Sequence, residues 1–267
     1  MYNKTQFMNY KVEGNGETLV FLHGLSDNLL YWEFLASSLK EDYQVIRLDF
    51  RGHGESELGD GEITIGQYVN DLTNLLKKLN VDKINLIGFS LGGAVALDFA
   101  VKYPEKASSL VLMSSFFKIN EDSEKILTQL KEALESSFED FYDLILPKVL
   151  CPEVINENNE ELEVLKGIAS QTANTQAYIK AVDACLDFDI EDKLSEIDIP
   201  TLILAGKYDG MFELDTQIQL QSKIKDSKLV VFDNAKHNLL VGKNNLEILE
   251  IIKDFIKKKK VSRIILL

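Results

Sequence analysis

Between Thr18 and Met113 the chain alternates short, continuously apolar runs with longer segments whose apolar positions recur at helical spacing. The runs at residues 18–22, 44–48, 83–87 and 108–113 are β-branched or Leu-rich and end in turn residues, which predicts strands. Residues 31–39, 65–79 and 91–101 predict the helices between them. Strands that are apolar on both faces need cover on both faces. The pattern therefore predicts an α/β architecture, a mostly parallel central sheet flanked by helices. The same alternation returns after Pro200, with strands at 201–205 and 228–232, a helix at 216–224 and a closing amphipathic helix at 245–256. Residues 7–12 predict one antiparallel strand at the sheet edge.

Residues 117–193 break this rhythm. No strand pattern occurs there, yet Leu127, Leu130, Leu134, Phe138, Phe141, Leu144 and Ile145 keep helical spacing. The segment reads as an inserted helical cap over one end of the sheet, with residues 1–116 and 194–267 forming the core. It holds 18 Asp and Glu against seven Lys, so most of the net charge of -14 is concentrated in it. A length of 267 residues suits one sizeable domain carrying such an insertion.

Charge and composition narrow the function classes. An acidic chain repels phosphate backbones, so nucleic acid is not expected as a partner. No apolar run approaches the roughly 20 residues of a membrane span. Met1 to Gln6 carries no apolar signal region, so the expected location is cytoplasmic, with Cys151 and Cys185 both reduced. Three histidines and two cysteines, all widely separated, form no metal-ligand pattern. Neither a metal nor a cofactor is expected. Lys257 to Lys260, followed by residues 261–267, read as a solvated helix end.

The chemistry is concentrated in a few short segments. Gly88-Phe89-Ser90-Leu91-Gly92 follows a predicted strand and opens a predicted helix. A serine at such a corner stands clear at the strand's C-terminal end, and the flanking glycines allow the close backbone approach. The first helix N–H groups point towards any charge developing on an attacked carbonyl. His23-Gly24-Leu25 follows an earlier strand. With these segments, and with Asp49-Phe50-Arg51-Gly52-His53-Gly54-Glu55-Ser56, the chain resembles the α/β-hydrolase superfamily over about residues 19–255.

The resemblance implies Ser90 as nucleophile, Asp209 as triad acid and His237 as base, in the chain order of that fold. It implies an oxyanion hole from the Leu25 and Leu91 N–H groups, and a structural loop in which Asp49 and Arg51 brace each other. Asp215 is a rival for the acid. Two positions depart from the family pattern: Lys236 stands where Gly often precedes the histidine, and Met211-Phe212 where a Pro often follows the acid. The implied activity is hydrolysis of a small or medium carboxylic ester through an acyl-enzyme, by a monomer or homodimer acting on a small-molecule acyl substrate. A carbon–carbon bond hydrolase, a lactonase and a ligand-binding receptor on the same scaffold are the alternatives. The absence of Arg from residues 117–193 weighs against the carbon–carbon reading, and a serine at position 90 against dehalogenases and epoxide hydrolases. Phe116, Phe117, Phe138, Phe141, Tyr142 and Tyr178 are either acyl-pocket lining or ordinary core.

Overall fold

In the computed structural model residues 2–4 and 8–264 are described, with side chains from 8 to 258. Eight strands pair into one sheet: β1 (Tyr2–Lys4), β2 (Asn9–Glu13), β3 (Thr18–Leu22), β4 (Gln44–Leu48), β5 (Ile84–Phe89), β6 (Ala107–Met113), β7 (Thr201–Gly206) and β8 (Ser227–Phe232). Their order across the sheet is β1-β2-β4-β3-β5-β6-β7-β8. All pairs from β4 to β8 are parallel, and β2 runs antiparallel to both β1 and β4. The expected single edge strand at 7–12 is thus two strands. Tyr2-Asn3-Lys4 has no apolar alternation, because the outermost strand need not bury both faces.

Successive side chains of β3 point to opposite faces, and both faces are buried. Leu19 and Phe21 join a core with Trp32, α1 (Glu33–Leu39) and α10 (Asn245–Ile264). Val20 and Leu22 join the opposite core, with α2 (Ile65–Leu79), α3 (Leu91–Lys102) and α9 (Leu214–Lys223). α2 starts on the Thr64 side chain, which accepts from the Gln67 N–H, and ends on Asn80 in the left-handed region at φ 54°. α3 has almost no polar face, since every residue from Leu91 to Ala100 is buried. At about 1.5–3 kcal/mol for each large aliphatic or aromatic side chain buried, its position against the sheet is tightly fixed.

Five helices lie between β6 and β7: α4 (Glu121–Ser136), α5 (Phe138–Val149), α6 (Pro152–Glu157), α7 (Asn159–Thr172) and α8 (Thr175–Leu186). α4 and α8 bury Leu127, Leu130, Leu134, Tyr178 and Val182, whereas α6 and α7 bury no residue. The two ends of the insertion meet at a narrow neck. Lys118 bridges Asp189, the Ile190 N–H donates to the Phe117 carbonyl at 2.9 Å, and Lys118 forms an ion pair with Glu191. Both cysteines are free thiols. No helix among the described residues is long and apolar enough to cross a membrane.

One charge lies fully inside the sheet. The Arg47 side chain on β4 has no exposed surface and reaches Glu13 at 2.6 Å and Glu33 at 2.8 Å. It also reaches the Leu29 carbonyl at 3.4 Å, tying β4 to the loop after β3. The guanidinium holds the Glu33 carboxyl below the usual carboxylate range. Arg47→Ala would open a void at a fully buried side chain and leave Glu13 only Lys11 and Lys40 as partners, costing on the order of 3 kcal/mol. Urea denaturation of the variant and the wild type at neutral pH measures that loss, and a cost below about 1 kcal/mol would contradict it.

Candidate active site

β5 ends at Phe89 and α3 begins at Leu91, which leaves Ser90 alone at the corner. Its φ of 51° and ψ of -116° lie where an L residue is strained by roughly 1–3 kcal/mol. Neighbouring backbone holds it there. The Ser90 N–H donates to the Met113 carbonyl at 2.9 Å, and the Ser90 carbonyl accepts from Gly93 N–H at 2.9 Å and Ser115 Oγ at 3.1 Å. A Cβ on Gly92 would overlap the Leu22 carbonyl oxygen, and one on Gly88 would overlap the carbonyl of Gly92. Gly93 is equally confined, by the Ser115 side chain.

The loop after β3 is pinned from beneath. His23 Nε2 accepts from the Phe50 N–H at 2.9 Å, so its proton sits on Nδ1, which donates to the Gly24 carbonyl at 2.7 Å. The Leu29 N–H donates to Asp49 Oδ1 at 2.7 Å. Asp49 Oδ2 accepts from Asn9 Nδ2 at 2.7 Å and from the Glu55 N–H at 2.9 Å. Both Asp49 oxygens are therefore filled, and the expected Asp49–Arg51 brace does not form. Arg51 instead grips Asp71 of α2 through Nε at 2.6 Å and through its second nitrogen at 2.7 Å. Leu91 is the first residue of α3, so its N–H has no acceptor inside the helix. It lines the same cavity as Leu25, on the pinned loop.

Asp209 and His237 follow β7 and β8, and their side chains meet. His237 Nδ1 lies 3.0 Å from Asp209 Oδ1 and 2.9 Å from Oδ2, with both residues buried. Asp209 Oδ1 also accepts from the N–H groups of Met211 at 2.8 Å and Phe212 at 3.0 Å. A proline at either position would remove one of these donors, which gives a physical reason for the departure seen at 211–212. Asp215 is exposed on the first turn of α9, where its carboxylate accepts from Gln219 Nε2 at 2.5 Å.

The C-terminal end of α5 stitches both loops to the insertion. The Gly210 N–H donates to the Lys148 carbonyl at 3.2 Å, and the Asn238 N–H to Val149 at 3.0 Å. Lys236, the second departure, donates from Nζ to the Pro147 carbonyl at 2.6 Å. Nothing in the sequence of 147–151 announces this role, because the acceptors are main-chain carbonyls.

Ser90 and His237 open onto one cavity of about 1110 Å³ between the sheet and the inserted helices. Phe116, Phe141 and Tyr142 line it, whereas Phe117, Phe138 and Tyr178 belong to the core away from it. Asp27, to which the sequence drew no attention, lines it too, as do Tyr31 and Phe89. Tyr31 stacks on Phe89 at 4.7 Å, and Phe89 packs against the His237 ring at 5.0 Å. The Tyr31 hydroxyl donates to Asn238 Oδ1 at 3.1 Å, beside the histidine. Among the described residues no cluster of His, Cys, Asp or Glu is arranged to hold a metal ion.

A family model described as the alpha/beta hydrolase fold matches residues 17–243. A Rhizobium rhizogenes protein whose name assigns it carbamate hydrolysis is 27% identical over 239 residues, covering 86% of this chain and 90% of that protein. The pimeloyl-[acyl-carrier protein] methyl ester esterase of Aliivibrio salmonicida is 26% identical over 243 residues, 87% of this chain and 90% of its own. Among solved structures, an alpha/beta hydrolase enzyme from a Medee basin deep-sea metagenome superposes with a TM-score of 0.88. It has 22% identity and covers 94% of both chains.

Two buried histidines beneath the site set its acid tolerance. Burial lowers His23 from 6.5 to about 4 and His53 to about 3, so both are neutral in the folded protein. Each binds its proton more tightly when unfolded, so stability is complete above pH 6.5 and is lost as the pH falls towards 4. Between pH 7 and pH 5 each histidine should remove on the order of 2 kcal/mol, a loss that Asp27, raised by burial to about 7, offsets in part, so one histidine's share is read by comparing urea midpoints of variant and wild type. His53→Gln should lose visibly less over that interval; an identical loss in the variant would refute the assignment.

Proposed function

Because this chain belongs to the alpha/beta hydrolase fold family, we propose that it is a serine hydrolase cleaving a small or medium carboxylic ester or a related acyl compound. Ser90 Oγ attacks the acyl carbon while His237 takes its proton and later returns it to the leaving alcohol. Asp209 fixes the imidazole with its proton on Nδ1 and stabilises the imidazolium that forms. The N–H groups of Leu25 and Leu91 receive the charge on the carbonyl oxygen, and water then releases the acyl group from Ser90. The inserted helices act as a cap that shapes the acyl pocket.

The observation that carries this reading is the buried Asp209–His237 pair at 2.9 Å beside a strained serine on the same cavity. The relatives support the reaction class: ester and carbamate hydrolysis both join water to a carbonyl carbon bearing a leaving group. Asp209, with two N–H donors and the imidazole on its carboxylate, is the acid in this reading, and Asp215 is not.

Turnover of p-nitrophenyl esters from acetate to laurate tests it. We expect chain-length-dependent hydrolysis by the wild type, and a fall of at least about 10³-fold in kcat for Ser90→Ala and for His237→Ala. Asp209→Asn should lose a comparable factor, whereas Asp215→Asn should stay within about threefold of wild type. Full activity in Ser90→Ala, or a larger loss in Asp215→Asn than in Asp209→Asn, would overturn the assignment.

A further inference from the structure

Asp27 is the one carboxylic acid on the loop after β3, and it lines the cavity shared by Ser90 and His237. It is half-buried, with the remaining surface lining the cavity. The Gly24 backbone hydrogen-bonds its carboxyl, and no Lys or Arg among the described residues forms an ion pair with it. The titratable groups whose fields it shares are His237, Tyr31 and Tyr178. Two of these are neutral phenols, and the third is the proposed base. Burial raises the Asp27 carboxyl from 3.8 to about 7, outweighing the attraction of His237 and the Gly24 hydrogen bond.

A carboxylate placed in a largely apolar cavity without a cation partner is costly unless a ligand supplies that cation. The wall beside it is aromatic, with Tyr31 stacked on Phe89, and aromatic faces attract ammonium groups. The cavity's outer part is lined by Glu153, Glu157 and Glu161 from α6 and α7, against Lys236 and Lys243. Three carboxylates against two ammonium groups leave this rim net negative. Cations are drawn towards such a rim and carboxylate substrates are repelled from it.

Building on the serine-hydrolase reading, we propose that Asp27 anchors a positively charged group of the substrate, so that the site prefers acyl compounds bearing an ammonium. The chemical class is an ester of an amino alcohol, or an ester whose acyl half carries an amine. In this arrangement Asp27 is a specificity-determining residue and takes no part in bond breaking.

Two isosteric pairs test the proposal. Butyrylcholine against neohexyl butyrate places the charge on the alcohol half. The p-nitrophenyl ester of γ-trimethylammoniobutyrate, against its tert-butyl isostere, places it on the acyl half. Binding is measured by calorimetry to the Ser90→Ala protein, which does not depend on turnover, and kcat/KM is measured on the wild type. The charged member of at least one pair should bind about tenfold or more tightly at pH 8, and that ratio should shrink at pH 6 as the carboxyl takes up its proton. In Asp27→Asn, combined with Ser90→Ala for binding, the ratio should fall towards one and lose its pH dependence.

Equal binding within both pairs by the Ser90→Ala protein would overturn the anchor without needing any variant at position 27. A pH-dependent preference that survives in Asp27→Asn would assign it to His237 and equally overturn the anchor. Failure of the wild type to hydrolyse any of the four esters would instead strike at the serine-hydrolase reading, since the binding ratio is read separately.

Discussion

How closely α3 begins against the end of the sheet governs the rest of the site. Its first turn sits so near the end of β3 that Gly92 has no room for a methyl group beside the Leu22 carbonyl, and Gly88 faces the same limit against Gly92. Only with that approach does the chain turn within a single residue, and Ser90 is that residue, at φ 51°. The strain is affordable because α3 is buried along nearly its whole length, so the packing on both sides of the corner far exceeds the local cost. The same closeness brings the free N–H of Leu91 alongside the loop that carries Leu25. The positions of Ser90 and of the Leu91 N–H thus derive from one steric condition.

The loops that supply the other groups are held by hydrogen bonds reaching across the fold. Asp49 receives N–H donors from three separate segments, and His23 is locked into one tautomer by Phe50 and Gly24. The loops of Asp209 and His237 lean on main-chain carbonyls at 148 and 149 and, through Lys236, at 147. The inserted helices therefore do more than roof the cavity. Part of their backbone is a strut for the groups beneath, and their looser part, α6 and α7, buries nothing.

Most of this architecture was legible in the chain because its signals are local. Continuous apolar runs gave the parallel strands, and the paired glycines around Ser90 marked the corner. His237 stood out because the other two histidines lie in short motifs of their own. The apolar run predicts a strand ending at residue 87, where the glycine corner begins, yet β5 continues through Phe89 in register with Met113. What was hidden depends on partners far apart in sequence. Only the folded chain shows that both oxygens of Asp49 are already occupied and that Asp71 of α2 lies within reach of Arg51. Nothing in the sequence around Asp27 says that a cavity will close over it.

The neck at Lys118 and Asp189 separates two kinds of change. Because the two ends of the insertion meet at Lys118 and Asp189, the sheet's pairing from β6 to β7 is indifferent to the length of what hangs between. The cost of closing so long a loop grows only logarithmically with its length. Helices can be added, lost or exchanged above the neck while Leu110 and Thr201 keep their register. One condition travels with any such exchange: the newcomer must again present carbonyl oxygens where residues 147 to 149 now do. A new pocket is thereby easily acquired, while the few main-chain acceptors that hold the Asp209 and His237 loops are what every replacement has to reproduce.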